Sequence, residues 1–173
     1  MSRIIFITGG ARSGKSRLAE DLAERFGAPL VYIATGASGD AEMRERITRH
    51  RSRRGPAWRT IEEPLDLSAV IRDHDGGFAC MLVDCVTFWL SNLLFSCNDP
   101  QRVLDDVALF ASALPLLKTP VVLVSNEVGM GIVPENALAR AFRDLAGEAN
   151  EMLARAADEV YVIFSGVPLK LKG

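Results

Sequence analysis

Gly9, Gly14, Lys15 and Ser16 stand in the spacing glycine, four residues, glycine, lysine, hydroxyl, with a further glycine at Gly10. This spacing suits the binding of a chain of phosphates. The glycines let backbone N–H groups approach phosphate oxygens with no Cβ in the way. Those N–H groups form a nest at the positive end of a helix. Lys15 is placed to reach β- and γ-phosphate oxygens, and the Ser16 hydroxyl to hold Mg²⁺. The run Gly9, Gly10, Ala11, Arg12, Ser13, Gly14, Lys15, Ser16 therefore predicts a nucleoside triphosphate site and leaves open what is done with it.

Other residues add chemistry. Asp84 ends an apolar run, the place from which a P-loop protein extends a carboxylate toward Mg²⁺. Between Arg44 and Arg54 lie six arginines and one acid, Glu45, in a chain whose net charge is −2. On a helix, Arg46, His50 and either Arg53 or Arg54 share a face. Such a run is either a solvated basic surface or a clamp for phosphate or carboxylate. An imidazole in it is either a phosphate hydrogen-bond donor or a nucleophile toward phosphorus, and neighbouring cations favour its neutral form. Of the adjacent pair Glu62 and Glu63, at most one faces a site, because neighbours on a strand point oppositely. Asn126 to Asn136 is a glycine-containing loop, either for substrate or for packing on a neighbour or partner subunit. His74, between aspartates and beside Gly76 and Gly77, reads as a surface-turn residue.

The elements that must position these groups alternate strand and helix. Strands are predicted over 3–8, 30–34, 58–62, 78–84, 120–126 and 159–164, with a last edge strand over 167–171. Helices are predicted after Ser16, over 40–54, 67–72 and 88–95, from Pro100 with Asp99 as cap, and from Pro134 to about Ala157. Several strands are continuous apolar runs, so both faces are buried, as in a mostly parallel sheet between helices. Sites in such folds lie in the loops at the carboxyl ends of strands, so Gly9, Thr35, Asp84 and Asn126-Glu127 should converge. The expectation is one α/β domain over 1–173 with a P-loop NTPase (RecA-like) fold.

Charge argues against a general nucleic-acid or membrane-surface binder. Cys80, Cys85 and Cys97 have no metal-ligand spacing, and Cys80 and Cys85 read as small core residues. No apolar run has the length of a membrane span, and the first strand leaves no room for a signal peptide, so a cytoplasmic protein is expected.

The whole chain resembles the bifunctional adenosylcobinamide kinase/adenosylcobinamide-phosphate guanylyltransferase family. The likeness is carried by Gly9–Ser16, Tyr32–Thr35, Arg46–Arg51, Trp58–Glu62, Leu82–Thr87, Ser91–Leu94, Val124–Asn136, Phe142–Gly147 and Ala157–Val160. Of these, the block Asn126–Asn136 is far more specific than the phosphate motif. The resemblance implies phosphorylation of the aminopropanol hydroxyl of adenosylcobinamide by GTP or ATP, then transfer of GMP from GTP to that phosphate. It implies a GMP-histidine at His50 and GTP contacts at Gly9–Ser16, Ala34, Thr35, Gly36, Arg51, Ser52, Arg53, Arg54, Glu62 and Asp84. Mg²⁺ on Ser16 and Asp84, small-molecule partners only, and a homotrimer complete the expectation. A simple P-loop small-molecule kinase is the alternative, and a nucleotide-dependent switch module the next.

Overall fold

The computed structural model describes residues 3–36 and 55–173. The helix predicted over 40–54 lies outside the described residues, as do His50, Arg51, Ser52, Arg53 and Arg54.

Seven strands form one sheet: β1 (Ile4–Gly9), β2 (Leu30–Ala34), β3 (Trp58–Glu62), β4 (Cys80–Asp84), β5 (Val121–Val124), β6 (Glu159–Phe164) and β7 (Val167–Lys172). Their order is β3-β2-β4-β5-β1-β6-β7. All neighbouring pairs are parallel except β6 with β7. The helices are α1 (Lys15–Glu24), α2 (Leu67–Asp73), α3 (Val86–Cys97), α4 (Pro100–Ala113) and α5 (Ala137–Ala156). This is the expected mostly parallel α/β fold.

The apolar strands bury both faces by alternation. Ile4, Phe6, Val31, Ile33, Met81, Val83, Val121 and Leu123 face one core, which α2, α3, α4 and α5 close. Ile5, Ile7, Leu30, Tyr32, Leu82, Val122 and Val124 face the other, closed among the described residues by α1. Residues one apart on a strand point oppositely, so an unbroken apolar run fills two cores at once. Trp89 is almost fully buried in the larger core, meets the Phe110 ring in a tilted contact with centroids 5.1 Å apart, and donates from Nε1 to Leu65 O at 2.7 Å. It thus ties α3 to the loop after β3.

Local chemistry sets the helix ends. Asp99 caps α4 by accepting from Gln101 N and Arg102 N, with Pro100 at its start. The helix expected from Pro134 instead begins at Ala137, because the Asn136 side chain accepts from Leu138 N and Ala139 N and so ends the loop there. Glu63 accepts from Leu65 N and Asp66 N, both at 2.8 Å, and shapes the turn into α2. His74 is more than a turn residue: its Nδ1 lies 2.9 Å from Val70 O at the end of α2, and its ring meets Phe78 at 5.9 Å.

At the amino edge of the sheet, Glu159 is buried against Arg3, Lys170 Nζ (2.8 Å) and Tyr161 OH (2.7 Å). Burial pushes its carboxyl upward, but hydrogen bonds from Lys170, Tyr161 and Arg3 together outweigh that and hold it at about 2. The folded value lies below the ordinary 4.5, so the cluster stabilises the fold at neutral pH. That contribution is lost as pH falls from 4.5 through about 2. Denaturant unfolding between those pH values should show a steeper loss of stability for the wild type than for Glu159→Gln. Parallel curves for the two proteins would show that the cluster carries no linkage.

Candidate active site

The carboxyl ends of β2, β4, β5 and β1 are contiguous in the sheet, so the four loops expected to converge lie side by side. Asp84 is level with Val124 on one side and Ala34 on the other. Glu127 N donates to Gly9 O at 2.9 Å, joining the loop after β5 to the start of the phosphate motif.

Gly9 has a φ of +145°, and a Cβ there would stand 2.6 Å from Ile163 O. Only glycine fits, since the loop leaves β1 directly against β6. Gly14 caps α1 at φ +101°, and Arg12 is left-handed at φ +56°. The Ser13 carbonyl accepts from Gly166 N at 3.0 Å, so the β6–β7 turn braces the loop from outside. Lys15 is buried and donates from Nζ to Gly10 O at 2.6 Å. Its ammonium is therefore held inside the loop's own curve, ready to exchange a carbonyl for phosphate oxygens. The Ser13 hydroxyl is buried there with no hydrogen-bond partner among the described residues. A turn with two positive-φ glycines, an orphaned hydroxyl and an enclosed cation fit a bound polyphosphate.

Opposite the cradle, Asp84 and Gly36 are half-buried, Ala34 is buried and Glu62 is exposed at the end of β3. Thr35 is fully buried. Its Oγ1 donates to Cys85 O at 2.7 Å and accepts from Cys85 N at 2.9 Å. Asn92 on α3 donates to Thr35 O at 2.8 Å and to Pro64 O at 3.1 Å. Thr35 thus locks the end of β2 to the peptide after Asp84. With Glu63 turned into a helix-entry turn, Glu62 is the acid of that pair left at the strand end. Burial pushes the Cys85 thiol up to about 11, aided by Asp84, and burial pushes Cys80 up to about 12. Neither is a thiolate at neutral pH, which fits their reading as core residues.

For a metal, Ser16 offers a half-exposed hydroxyl at the start of α1, and Asp84 a carboxylate at a neighbouring strand end. The described residues contain no cluster of three or more His, Cys, Asp or Glu groups that could hold an ion alone. Two oxygen ligands, with phosphates and water completing the shell, suit Mg²⁺ rather than a protein-only metal cage.

Sequence reasoning missed Asn92, Thr87, Ser125 and Asn150, which hold the strand ends together. Thr87, Asn92 and Ser125 lie inside the resembling blocks, and Asn150 is a polar residue on the α5 face otherwise made by Leu145, Ala146, Ala149 and Leu153.

Fold and cradle define the class as a P-loop nucleotide-binding α/β protein. Comparison then narrows it. The family model described as cobinamide kinase / cobinamide phosphate guanyltransferase matches residues 5–171. The chain is 47% identical, over 96% of each sequence, to the bifunctional adenosylcobalamin biosynthesis protein CobP of Pseudomonas aeruginosa. It is 46% identical to the bifunctional adenosylcobalamin biosynthesis protein CobU of Salmonella typhimurium, over 98% of this chain and 99% of that one. With CobU of Escherichia coli the identity is 42%, over the same shares. The chain belongs to the cobinamide kinase / cobinamide phosphate guanyltransferase family.

The cradle's geometry yields a contrast between adjacent glycines. A Cβ at Gly9 meets backbone at 2.6 Å, whereas a Cβ at Gly10 meets nothing within 4 Å. Gly9→Ala should lower stability by about 1–3 kcal/mol, as strained backbone does, and weaken GTP binding at least ten-fold. Gly10→Ala should keep wild-type stability to within about 1 kcal/mol in denaturant unfolding. An equal loss of stability in the two variants would contradict this account of the loop.

Proposed function

We propose that the protein phosphorylates the aminopropanol hydroxyl of adenosylcobinamide with GTP or ATP, and then transfers GMP from GTP to that phosphate. The observation that carries this reading is the cradle of Gly9–Ser16 facing Asp84 across contiguous strand ends, in a chain that belongs to this family. One catalytic domain spanning 1–173 performs both steps, in the cytoplasm, where its nucleotide substrates are.

In the first step the substrate hydroxyl oxygen attacks the γ-phosphorus, the bond to the bridging oxygen breaks, the nucleoside diphosphate leaves, and the hydroxyl proton passes to solvent. The loop N–H groups and Lys15 hold the phosphates and take up charge developing on their oxygens. Ser16 and Asp84 hold Mg²⁺, which supplies further neutralisation of that charge when bound. Gly36, Glu62 and the segment Arg51, Ser52, Arg53 and Arg54 contact GTP, while the buried Ala34 and Thr35 fix the strand end from which Gly36 extends.

In the second step neutral His50 attacks the α-phosphorus of GTP. A P–N bond forms, the α–β bridging bond breaks, and pyrophosphate departs into the cradle. The phosphate of the corrinoid then attacks the GMP-histidine, which releases the imidazole and yields adenosylcobinamide-GDP. The arginines around His50 favour its neutral, nucleophilic form and balance the departing pyrophosphate.

The working assembly is a homotrimer. In support, β7 is exposed along its whole length, and Phe164, Val167, Leu169 and Leu171 form an apolar edge beside the phosphate loop. Met130, Ile132 and Val133 in the loop after β5 are exposed as well. Uncovered apolar edges of this kind are where chains associate. Leu169→Asp should shift sedimentation from trimer toward monomer, and a wild-type monomer would remove this part of the reading.

Incubation with Mg²⁺ and α-labelled GTP, followed by denaturation and intact mass, tests the transferase half. Wild type should carry an acid-labile GMP adduct that His50→Ala lacks, while the variant keeps cobinamide kinase turnover. A wild-type protein that binds GTP and phosphorylates cobinamide without forming an adduct would be a simple kinase.

A further inference from the structure

Beneath the site, three side chains and the backbone N–H and C=O of Asn126 close a ring. Ser125, which follows β5, is fully buried, and Asn150 on α5 is nearly so. Ser125 Oγ donates to Asn150 Oδ1 at 2.7 Å. Asn150 Nδ2 donates to Asn126 O at 3.2 Å. Asn126 N donates to Thr87 Oγ1 at 2.7 Å. Thr87 Oγ1 and Ser125 Oγ lie 3.3 Å apart and complete the circuit.

The proton positions in this ring follow from its members. A carbonyl only accepts, so the Asn150 amide must direct Nδ2 at Asn126 O and its oxygen at Ser125. The Ser125 proton is thereby committed to Asn150. The Thr87 proton must then point at Ser125, which leaves Thr87 Oγ1 to accept from Asn126 N–H. Every bond runs in one direction, from Asn126 N–H through Thr87, Ser125 and Asn150 back to Asn126 O, a chain in which hydrogen bonds reinforce one another. Replacing one member by an apolar group strands its neighbours in a buried setting.

The ring fixes one residue. Both backbone groups of Asn126 are engaged in it. Asn126 follows β5, and β5 lies between β4, which ends in Asp84, and β1, which opens the phosphate cradle. The next residue bonds Gly9 O. The Asn126 carboxamide makes no hydrogen bond among the described residues. Thr87 stands three residues after Asp84, so the ring also pins the Asp84 loop to the loop that follows β5.

We infer that Asn150, Thr87 and Ser125 are positioning residues of the phosphoryl-transfer step, which hold Asn126 so that its carboxamide N–H donates to the phosphoryl group passing between nucleotide and alcohol. The inference rests on the kinase reading above. A fixed donor at that place stabilises charge on the equatorial oxygens with no reorganisation at the moment of transfer. A donor on a loosened loop loses that advantage, and the loss falls on kcat rather than on nucleotide binding.

The test uses the full-length protein, cobinamide and GTP. Thr87→Val and Asn150→Ala should each lower the kinase kcat at least ten-fold, with the KM for GTP changed less than two-fold. Thr87→Ser, which keeps the hydroxyl, should restore kcat. Asn126→Ala should show a similar loss, and Thr87→Val added to it should cost nothing more. Wild-type kcat in the Thr87→Val variant, or losses that multiply in the double variant, would overturn the inference. Should Asn150→Ala fail to fold, the Thr87 pair carries the same comparison. Amide hydrogen exchange at Asn126 reads the ring without turnover. It should quicken at least ten-fold in Thr87→Val but not in Thr87→Ser, and unchanged exchange would remove the ring. A wild type that phosphorylates no cobinamide but shows this exchange pattern would refute the kinase reading and, with it, the catalytic role given to Asn126, while leaving the ring standing.

Discussion

Where a parallel sheet stops, its last peptide groups lose the partners that the ladder supplied, and they must find others or remain unsatisfied in a low-dielectric setting. In this protein β2, β4 and β5 stop level with one another, at Ala34, Asp84 and Val124, and β1 stops two residues further on, at Gly9. The phosphate-type loop opens at the same place, which is not filled with apolar side chains. The solution is a layer of short polar residues. Thr35 takes both groups of the Cys85 residue, Asn92 takes Thr35 O, and Thr87 with Asn150 takes both groups of Asn126. Each bond fixes the direction in which a loop departs, and each loop then brings its functional group to a common edge.

The phosphate loop depends on that layer and on a brace from the other side. Glu127 N holds Gly9 O from β5, and Gly166 N holds Ser13 O from the β6–β7 turn. Gly9 lies so close to Ile163 that β6 serves as the loop's floor. The cradle is thus a product of three strands, although its signature is a single run of eight residues. These contacts fix the loop's backbone before any anion arrives, and preorganised donors stabilise developing charge most effectively.

Charge is placed economically. The chain is slightly acidic as a whole, yet the cradle encloses Lys15 and begins a helix whose dipole favours anions. At the opposite edge of the sheet, Arg3 and Lys170 are matched to the buried Glu159 and serve stability. The two ends of the same sheet therefore bury opposite charges: Glu159 at one end and Lys15 at the other.

Much of this was legible in the sequence because it depended on local chemistry. The glycine spacing announces a phosphate loop, since few other residues allow that backbone. Unbroken apolar runs announce a parallel sheet with two cores, and Asp99-Pro100 announces a helix start. The resemblance then gave the family, which the comparisons establish. The start of α5 was misplaced because Pro134 is a stronger letter than Asn136, while the capping carboxamide decided the boundary. What only the tertiary structure decided is which polar residues meet. Thr35 and Cys85 are 50 positions apart, as Asn150 and Ser125 are 25 apart. A threonine or asparagine is read from sequence as an ordinary polar residue, because nothing in its neighbours says which distant peptide group it will satisfy. Those pairings exist only once the strands are ordered β2-β4-β5-β1, since side-chain hydrogen bonds have short reach and depend on the sheet to bring their partners within it.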